Sequence, residues 1–252
     1  MPAAYGTAVL KAVSILNFLS TVDKPQKLKD ICQTTGLNKA TAFKLLETLQ
    51  SVGYVEKTDD VGYRLGLGLV RIAGAALHSV NTVRLIEPYV KELNMRTGET
   101  VHFGVAERNE VVYVTKLESK QAVRMYSKVG NTAPMYCTGI GKAILSTYGE
   151  VDLAEYLASV SLRKITNQTL TDEHQLRREL REVREQGYSI DNGEHEPEVR
   201  CIAVPLVANG KTYGAVSVSV PSYRMDDAAT ERHLADLKWC QVKILSDLRL
   251  LS

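Results

Sequence analysis

Apolar residues recur with a helical period in the first part of the chain. A first helix is predicted over Thr7–Ser20, with Thr7 in position to cap it, and a shorter second helix over Leu28–Thr34, after the break at Pro25. Each of these helices is expected to bury one face and to leave the other face to solvent. The apolar stripe expected on the first helix comprises Val9, Leu10, Val13, Leu16 and Leu19.

A third helix is predicted within residues 36–53, which begin and end with glycine. Asn38 is suited to cap it, because its side-chain oxygen can accept from the unpaired amides of the first turn. No acidic residue precedes Glu47 on this helix, so its first turn suits a negatively charged surface such as phosphate. An ordinary solvated amphipathic helix would have a similar pattern. The buried face is expected to hold Ala42, Leu45, Leu46 and Leu49, and the opposite face Lys39, Ala40, Thr41 and Lys44.

Two short strands, residues 54–57 and 63–65, follow across a polar turn at residues 59–62. This order of elements is typical of a winged helix-turn-helix, whose last helix lies in the major groove of DNA. It favours DNA binding over a solvated helix, with basic side chains on phosphates and Asn38, Thr41 and Phe43 on base edges. The candidate DNA-binding residues are Lys27, Asn38, Lys39, Ala40, Thr41, Phe43, Lys44 and Arg64.

The segment after the hairpin, Leu67–Leu77, continues as a helix with more small and apolar residues than a solvent-spanning linker needs. We expect it to pair with a second copy of itself, because two DNA-binding modules on a pseudo-palindrome gain affinity and register. The protein is therefore expected to be a homodimer or a homotetramer. The expected divisions are residues 1–66 for DNA binding, 67–80 for the linker helix and 81–252 for effector binding and oligomerisation.

The remainder of the chain mixes helical and alternating patterns, which predicts an α+β domain. Its clearest signal is Asn209-Gly210 between two alternating segments, a dipeptide typical of a tight hairpin. The predicted strands are Thr100–Ala106, Val111–Leu117, Ala122–Val129, Tyr188–Asp191, Arg200–Ala208 and Thr212–Val220. The predicted helices are Val83–Arg96, Lys142–Tyr148, Val151–Val160, Asp172–Gln186 and Asp226–Leu250, with a loop over Gly130–Tyr136.

Charge and composition refine this picture. Residues 1–80 hold nine Lys or Arg and six Asp or Glu, so the small positive excess of the chain lies with the predicted DNA-binding module. Four cysteines without a CxxC pair argue against a structural zinc site or a disulfide framework. No apolar run is long enough to span a bilayer and no signal peptide is apparent, so we expect a cytoplasmic protein without a membrane partner.

Three features of the larger domain predict a pocket for a small molecule. Residues 138–142 place small residues at a helix start, where free amides suit an anion, although the pattern lacks the residues of a nucleotide P-loop. The closing hairpin alternates bulky residues with small ones, so that Cys201, Ser217 and Ser219 share one face. Asp191 at the end of a strand offers an acceptor for ligand hydroxyls. These features suit a hydroxylated carboxylate.

The chain resembles the IclR family of bacterial transcriptional regulators, in particular regulators of sugar-acid catabolism. The resemblance rests on the winged module, on the sequence MYCTGIGK at residues 135–142 and on the stretch Asp191–Pro205. Three residues depart from the family pattern, which commonly has Ser at Ala40, Arg at Lys44 and Gly at Glu198. Because Lys offers one point charge where Arg offers a bidentate fork, the preferred operator sequence is expected to differ.

The resemblance implies a GAF-like effector domain and a ligand-responsive regulator, expected to repress a catabolic operon. The partners implied are double-stranded operator DNA, a small organic-acid effector such as a sugar acid or keto acid, and a second copy of the chain. Neither a cofactor nor enzyme activity is implied. The effector-binding residues implied are Met135, Tyr136, Thr138, Gly139, Ile140, Asp191, Cys201, Ser217 and Ser219, with Met135 and Tyr136 as the wall that selects the acid.

Other functions stay open from the residues alone. Cys137 and Cys201 could serve a zinc- or redox-responsive regulator, with His102 and His195 as further metal ligands. The same thiols and imidazoles could form a cysteine nucleophile and its base in an enzyme. A plain interaction module would leave the wing and the small-residue face unexplained.

Overall fold

The computed structural model describes residues 6–58, 62–79, 81–121, 125 and 127–250, with the backbone alone for 76–79 and 81. The chain divides into two compact units, Met1–Ser79 and Val80–Ser252. The helix expected as a separate linker therefore belongs to the first unit.

The first unit contains the three predicted helices and the hairpin of a winged helix-turn-helix. Its core gathers Ile15 of the first helix, Ile31 of the second and Leu46 of the third, all fully buried. Gly36 turns the chain between the second and third helices at φ +69°, a conformation that favours glycine. The elements are α1 Thr7–Ser20, α2 Leu28–Thr35, α3 Lys39–Ser51, β1 Val55–Thr58, β2 Gly62–Leu65 and α4 Gly68–Ser79.

Helix α1 corrects two predictions. Its N-cap is Gly6, so Thr7 is the first helical residue rather than the cap. The predicted stripe is confirmed at Leu19, which is buried, and at Leu16, which packs partly buried against the core, but it is wrong at Val9, Leu10 and Val13, which are exposed. The helix is apolar around most of its circumference, so its spacing alone does not determine which face packs inward.

The wing is joined to the helices by a short extension of its sheet. Gln26, in the α1–α2 connection, exchanges two 2.8 Å backbone hydrogen bonds with Tyr63 of β2. A Cβ on Gly62 would lie 2.3 Å from the Gln26 oxygen, which explains the glycine at that position. The predicted turn at residues 59–62 lies largely outside the described residues.

The second unit is the expected α+β domain. Its long helices and the closing hairpin agree with their predicted bounds to within two residues. Asn209 and Gly210 both have positive φ, as the predicted tight turn requires. The elements are α5 Asn81–Thr97, β3 Thr100–Glu107, β4 Glu110–Leu117, β5 Thr132–Pro134, α6 Gly139–Leu145, α7 Glu150–Ser159, α8 Glu173–Gln186, β6 Ser189–Asn192, β7 Val199–Ala208, β8 Lys211–Pro221 and α9 Asp227–Leu248.

One antiparallel sheet, in the order β5-β4-β3-β8-β7-β6, separates two helical layers. Helices α5 and α9 cover one face through a core that includes Ile202, Val204, Val216 and Val218. The opposite face carries the small residues of β7 and β8 and packs against α6, with α7 and α8 completing a second core. The predicted alternation of bulky and small residues is therefore confirmed.

Two predictions between β4 and α6 are wrong: the strand at Ala122–Val129 and the start of the following helix at Lys142. The third strand was predicted over Ala122–Val129, of which 122–124 and 126 lie outside the described residues, and 125 and 127–129 are not in a strand. The edge strand is instead β5, within the predicted loop, and it pairs Ala133 with Val111. Helix α6 begins at Gly139, because Thr138 caps it with a side-chain oxygen 3.2 Å from the Gly141 nitrogen.

Candidate functional site

The candidate DNA-binding surface lies on α3 and the wing. Asn38 caps α3, since its Oδ1 accepts from the Thr41 backbone nitrogen at 2.9 Å. This bond leaves the Asn38 amide nitrogen as the group suited to a base edge. The exposed residues of the predicted set are Lys27, Asn38, Lys39, Ala40, Phe43, Lys44 and Arg64, whereas Thr41 is half-buried.

Arg64 is not a free cation on the wing. Its guanidinium pairs with Glu56 on the neighbouring strand, with an Nη2–Oε2 distance of 2.9 Å. Both side chains are more than half exposed, so the pair contributes little to stability and can be exchanged for a phosphate. Lys39 and Lys44, the basic side chains of α3, are both exposed.

The candidate effector site is a cavity on the small-residue face of the sheet, beneath the start of α6. Its volume is about 30 Å³. The structure brings together most of the predicted residues there, from three separate parts of the chain. The predicted residues that line the cavity are Thr138, Gly139, Ile140, Asp191, Cys201, Ser217 and Ser219.

Met135 and Tyr136 do not line this cavity, so the structure contradicts the wall expected from them. Both residues lie in a 3₁₀ turn that directs them into the core beneath α6. Met135 is fully buried, and the Tyr136 hydroxyl donates to the Arg163 carbonyl at 2.8 Å. Their place in the wall is taken by residues that the sequence did not single out for this site: His102, Tyr113, Met125, Ser127, His195, Glu196 and Val199.

His102 is the centre of a polar chain along the cavity wall. Its Nε2 lies 2.8 Å from the Ser127 hydroxyl and its Nδ1 lies 3.3 Å from the Ser219 hydroxyl. The Ser219 oxygen lies 3.0 Å from the Cys201 sulfur. Burial, together with the charge of Lys116, lowers the pKa of His102 to about 3, so the imidazole is neutral. The wall therefore offers hydroxyls and a neutral ring rather than a cation.

Asp191 is the acidic group of the cavity. Burial raises its pKa to about 7, although the backbone N–H of Glu194 donates to its Oδ1 at 2.7 Å and favours the ionised form. Near neutral pH the side chain is therefore divided between its acid and its carboxylate. As an acid it can donate a hydrogen bond to a ligand, and as a carboxylate it can accept from a ligand hydroxyl.

A buried ion cluster lies behind Asp191. Lys142 of α6 is fully buried and pairs with Glu179 of α8 and with Glu194 of the loop after β6. Burial opposes the charge of Lys142, but the two glutamates outweigh it and raise the pKa of the ammonium. Because both glutamates contact it, Lys142 is not a free charge for a ligand in the cavity.

The two candidate thiols are not activated. Burial raises the pKa of Cys137 to about 12 and also raises the pKa of Cys201. Nucleophilic and metal-binding cysteines need an environment that stabilises the thiolate, which is the opposite shift. Within the described ranges, no group of three or more His, Cys, Asp or Glu side chains could hold a metal ion.

The part of the chain that the structure describes contains no helix both long and apolar enough to cross a bilayer. Two family profiles together match most of the sequence. The profile for the IclR helix-turn-helix domain matches residues 8–59, and that for the C-terminal domain of bacterial IclR transcriptional regulators matches residues 74–245.

Curated relatives agree with the profiles. The chain is 35% identical over 223 residues to the HTH-type transcriptional regulator XynR of Escherichia coli K12, and the match covers 88% of each chain. It is 32% identical over 244 residues to KdgR of the same strain, covering 96% of this chain and 92% of KdgR. The transcriptional repressor AllR of that strain is 31% identical over 222 residues, covering 87% of this chain and 82% of AllR.

Solved structures share the fold over nearly the full length. The IclR protein of Thermotoga maritima is 30% identical with a TM-score of 0.80, covering 96% of this chain and 99% of that one. An IclR homologue from Microbacterium hydrocarbonoxydans, solved with 4-hydroxybenzoate, is 26% identical with a TM-score of 0.83 and the same coverage. From its winged module to its effector-type domain, this chain belongs to the IclR family of bacterial transcriptional regulators.

Proposed function

We propose that the protein is a ligand-controlled repressor of a catabolic operon. Helix α3 and the wing bind double-stranded operator DNA, and the cavity beneath α6 binds a small organic acid such as a sugar acid or a keto acid. The observation that carries this proposal is the convergence of Gly139, Ile140, Asp191, Ser217 and Ser219 on one cavity. The relatives KdgR and AllR, and the neighbour with bound 4-hydroxybenzoate, support it.

The carboxylate end of the effector is placed at the start of α6. The first amides of a helix have no partner within it, and Thr138 satisfies only that of Gly141 through its side chain. The Gly139 and Ile140 amides are therefore suited to a carboxylate. The hydroxyls of Ser217 and Ser219, on the opposite wall, suit the hydroxyl or keto group next to it.

On the DNA side, Lys39 and Lys44 contact phosphates, and Asn38, Thr41 and Phe43 face the bases. Lys27 and Arg64 flank this surface as further phosphate contacts, and Ala40 allows close approach. Binding of the acid in the second unit changes the affinity of the first unit for its operator, which is a linkage between two sites.

A dimer, or a dimer of dimers, suits this function because two modules can then occupy both halves of a pseudo-palindromic operator. The exposed apolar side chains of the first unit support such an association: Val9, Leu10 and Val13 on α1, Leu67 before α4, and Val70 and Ile72 on α4. Exposed apolar residues on neighbouring helical turns are a common mark of an interface between protein copies. The protein acts in the cytoplasm, where its operator lies.

The environment of the two candidate thiols favours a regulator over an enzyme. The raised pKa values of Cys137 and Cys201 leave both sulfurs protonated at neutral pH, which suits neither nucleophilic catalysis nor a zinc- or redox-responsive switch.

The proposal is tested by a thermal-shift screen of sugar acids and keto acids against the full-length protein. Operator binding is then measured with each acid that stabilises the protein, on duplexes selected from a random-sequence library. At least one acid is expected both to raise the unfolding temperature and to change operator affinity. Binding of acids without any effect on operator affinity would contradict the proposal.

A further inference from the structure

A second, open cleft adjoins the effector cavity. Met125, Glu196 and Val199 line both spaces, so the cavity and the cleft share this part of their walls. The cleft has a volume of about 760 Å³, against about 30 Å³ for the cavity. Its remaining wall is formed by Pro197, Glu198, Pro221, Ser222 and Tyr223.

The size of the inner cavity limits what it can hold. A single water needs roughly 10–15 Å³ of such space, so about 30 Å³ accommodates a carboxylate-sized group and no long carbon chain. An acid of four or more carbons that places its carboxylate at Gly139 and Ile140 must extend beyond the cavity. The cleft, which shares three wall residues with the cavity, is the adjacent space that can take this extension.

The residues that line the cleft determine which chemical groups the far end of the acid can carry. Glu196 is half-buried and Glu198 is exposed, and both carry acidic side chains on the loop before β7. That loop is fixed by two backbone bonds: Val199 N donates to Glu196 O at 3.0 Å, and Ser222 N donates to Glu198 O at 2.8 Å. The two acids are therefore held at the rim.

Among the described residues, Arg224 contacts the cleft lining, because its Nη1 donates to the Tyr223 hydroxyl at 3.2 Å, but its Nη2 is paired with Glu99 at 2.7 Å. The described part of the cleft therefore has little positive charge of its own. No lysine or arginine is among its lining residues, and His195, whose Nδ1 lies 4.0 Å from Glu196, has its pKa lowered by burial against the raising effect of that acid. Carboxylates accept hydrogen bonds from ligand hydroxyls and repel a second carboxylate or a phosphate. Tyr223 and the prolines offer faces for the carbon chain.

From this arrangement we infer that the cleft is a specificity subsite of the effector site, in which Glu196 and Glu198 accept the neutral hydroxylated end of a monocarboxylic acid and exclude acids with a second negative charge. This inference rests on the proposed acid-binding function.

The test compares monoacids and diacids of equal chain length by calorimetric titration of the full-length protein. The pairs are glycerate with tartronate, threonate with tartrate, and gluconate with glucarate. In the wild type, we expect the monoacid to bind at least tenfold more tightly in the longer pairs. Glu196→Gln and Glu198→Gln should each reduce this ratio at least threefold, mainly by tightening the diacid, and added salt should reduce it further.

Glu150→Gln is the matched control, because it removes the same charge from an exposed site on α7, outside the cleft. It should leave every ratio unchanged. Equal affinity for monoacid and diacid in the wild type, or a preference that persists in the Glu196→Gln/Glu198→Gln double variant, would overturn the subsite and leave the proposed function intact. No binding of any acid in the series would overturn the subsite, and if no keto acid of the thermal-shift screen bound either, the proposed function would fall with it.

Discussion

The carboxylate of Asp191 accepts a hydrogen bond from the backbone N–H of Glu194 at 2.7 Å. The Glu194 side chain in turn pairs with the buried ammonium of Lys142, whose helix begins with the amides at the effector cavity. The acid that faces the ligand is thus one hydrogen bond away from the ion cluster that joins α6 to α8. Charge and protonation in this region should affect both stability and ligand binding.

The first prediction concerns the proton on Asp191. Its pKa rises from an ordinary 3.8 to about 7 in the folded protein, so the folded state binds this proton more tightly than the unfolded state. The resulting stabilisation is present at low pH and is lost as the pH rises from about 4 to about 7. Asp191→Asn keeps an oxygen acceptor without the charge. At pH 8 the free energy of unfolding of this variant should exceed that of the wild type by an amount on the order of a few kcal/mol.

The advantage of Asp191→Asn should shrink as the pH is lowered to about 5, where Asp191 is itself neutral. Urea unfolding followed through Trp239, the one tryptophan of the chain, reports on the second unit. The exposed Asp152→Asn controls for the loss of one charge. A difference between Asp191→Asn and wild type that is constant from pH 5 to pH 8 would contradict this prediction.

The second prediction concerns Lys142. Its ammonium compensates Glu179 and Glu194 in a region where its own side chain has no solvent exposure. Lys142→Met leaves both carboxylates uncompensated and should lower the free energy of unfolding by about 3–5 kcal/mol. Adding Glu179→Gln and Glu194→Gln removes those charges and should restore most of the loss. A triple variant no more stable than Lys142→Met would show that charge is not the cause.

The third prediction concerns the close approach of α6 to the 3₁₀ turn before it. A Cβ on Gly141 would lie 2.2 Å from the Met135 carbonyl oxygen, which is backbone and cannot rotate away. Gly141→Ala should therefore destabilise the second unit by roughly 1–3 kcal/mol or more, measured through Trp239 fluorescence.

Gly74→Ala is the matched control for Gly141→Ala. Gly74 lies in α4 of the first unit, where a Cβ would meet nothing within 4 Å, so its effect is read from the far-ultraviolet circular dichroism of the unfolding transition rather than from Trp239. This change should be neutral or stabilising by about 0.4–1 kcal/mol, because alanine restricts the unfolded chain. Equal effects of the two substitutions would contradict the contact between Gly141 and Met135.

The fourth prediction concerns DNA binding. Lys44 is exposed on α3 and is proposed to contact phosphate. Lys44→Ala should weaken operator binding and lower the slope of log K against log salt by about one unit, because one fewer counterion is released. Lys211→Ala, in the turn region of the β7–β8 hairpin, should leave the slope unchanged. An unaltered slope in Lys44→Ala would remove this residue from the interface.

Strong local signals predicted most of the fold. Asn38 is the cap of α3, Asn209-Gly210 forms the tight turn, and the alternation of β7 and β8 separates a bulky face from a small one. Each of these outcomes depends on neighbours in sequence or on a strict period of two. The buried face of α1 was predicted correctly at Leu16 and Leu19 but not at Val9, Leu10 and Val13, which form a second apolar surface, exposed within the described chain.

The cavity was predicted in part because its walls come from distant segments. Cys201, Ser217 and Ser219 could be assigned from alternation, but His102 enters through the register of β3, which sets it opposite Ser217. Its polar character between the apolar Val101 and Phe103 was the signal available in the sequence. Met135 was misplaced because a single turn of 3₁₀ helix decides which way it points.

The central claim is that an acid in the cavity controls operator binding. It is tested most directly by the dissociation constant of full-length protein for its selected operator, with and without a saturating acid from the screen. Ser217→Val removes a hydroxyl that lines the cavity. Thr132→Val is the control, because it removes a hydroxyl from an exposed position on β5. We predict an acid-dependent change of about 5–150-fold in the wild type and Thr132→Val. In Ser217→Val the response should be much reduced at unchanged affinity for DNA alone. The same operator affinity with and without bound acid in the wild type would contradict the account.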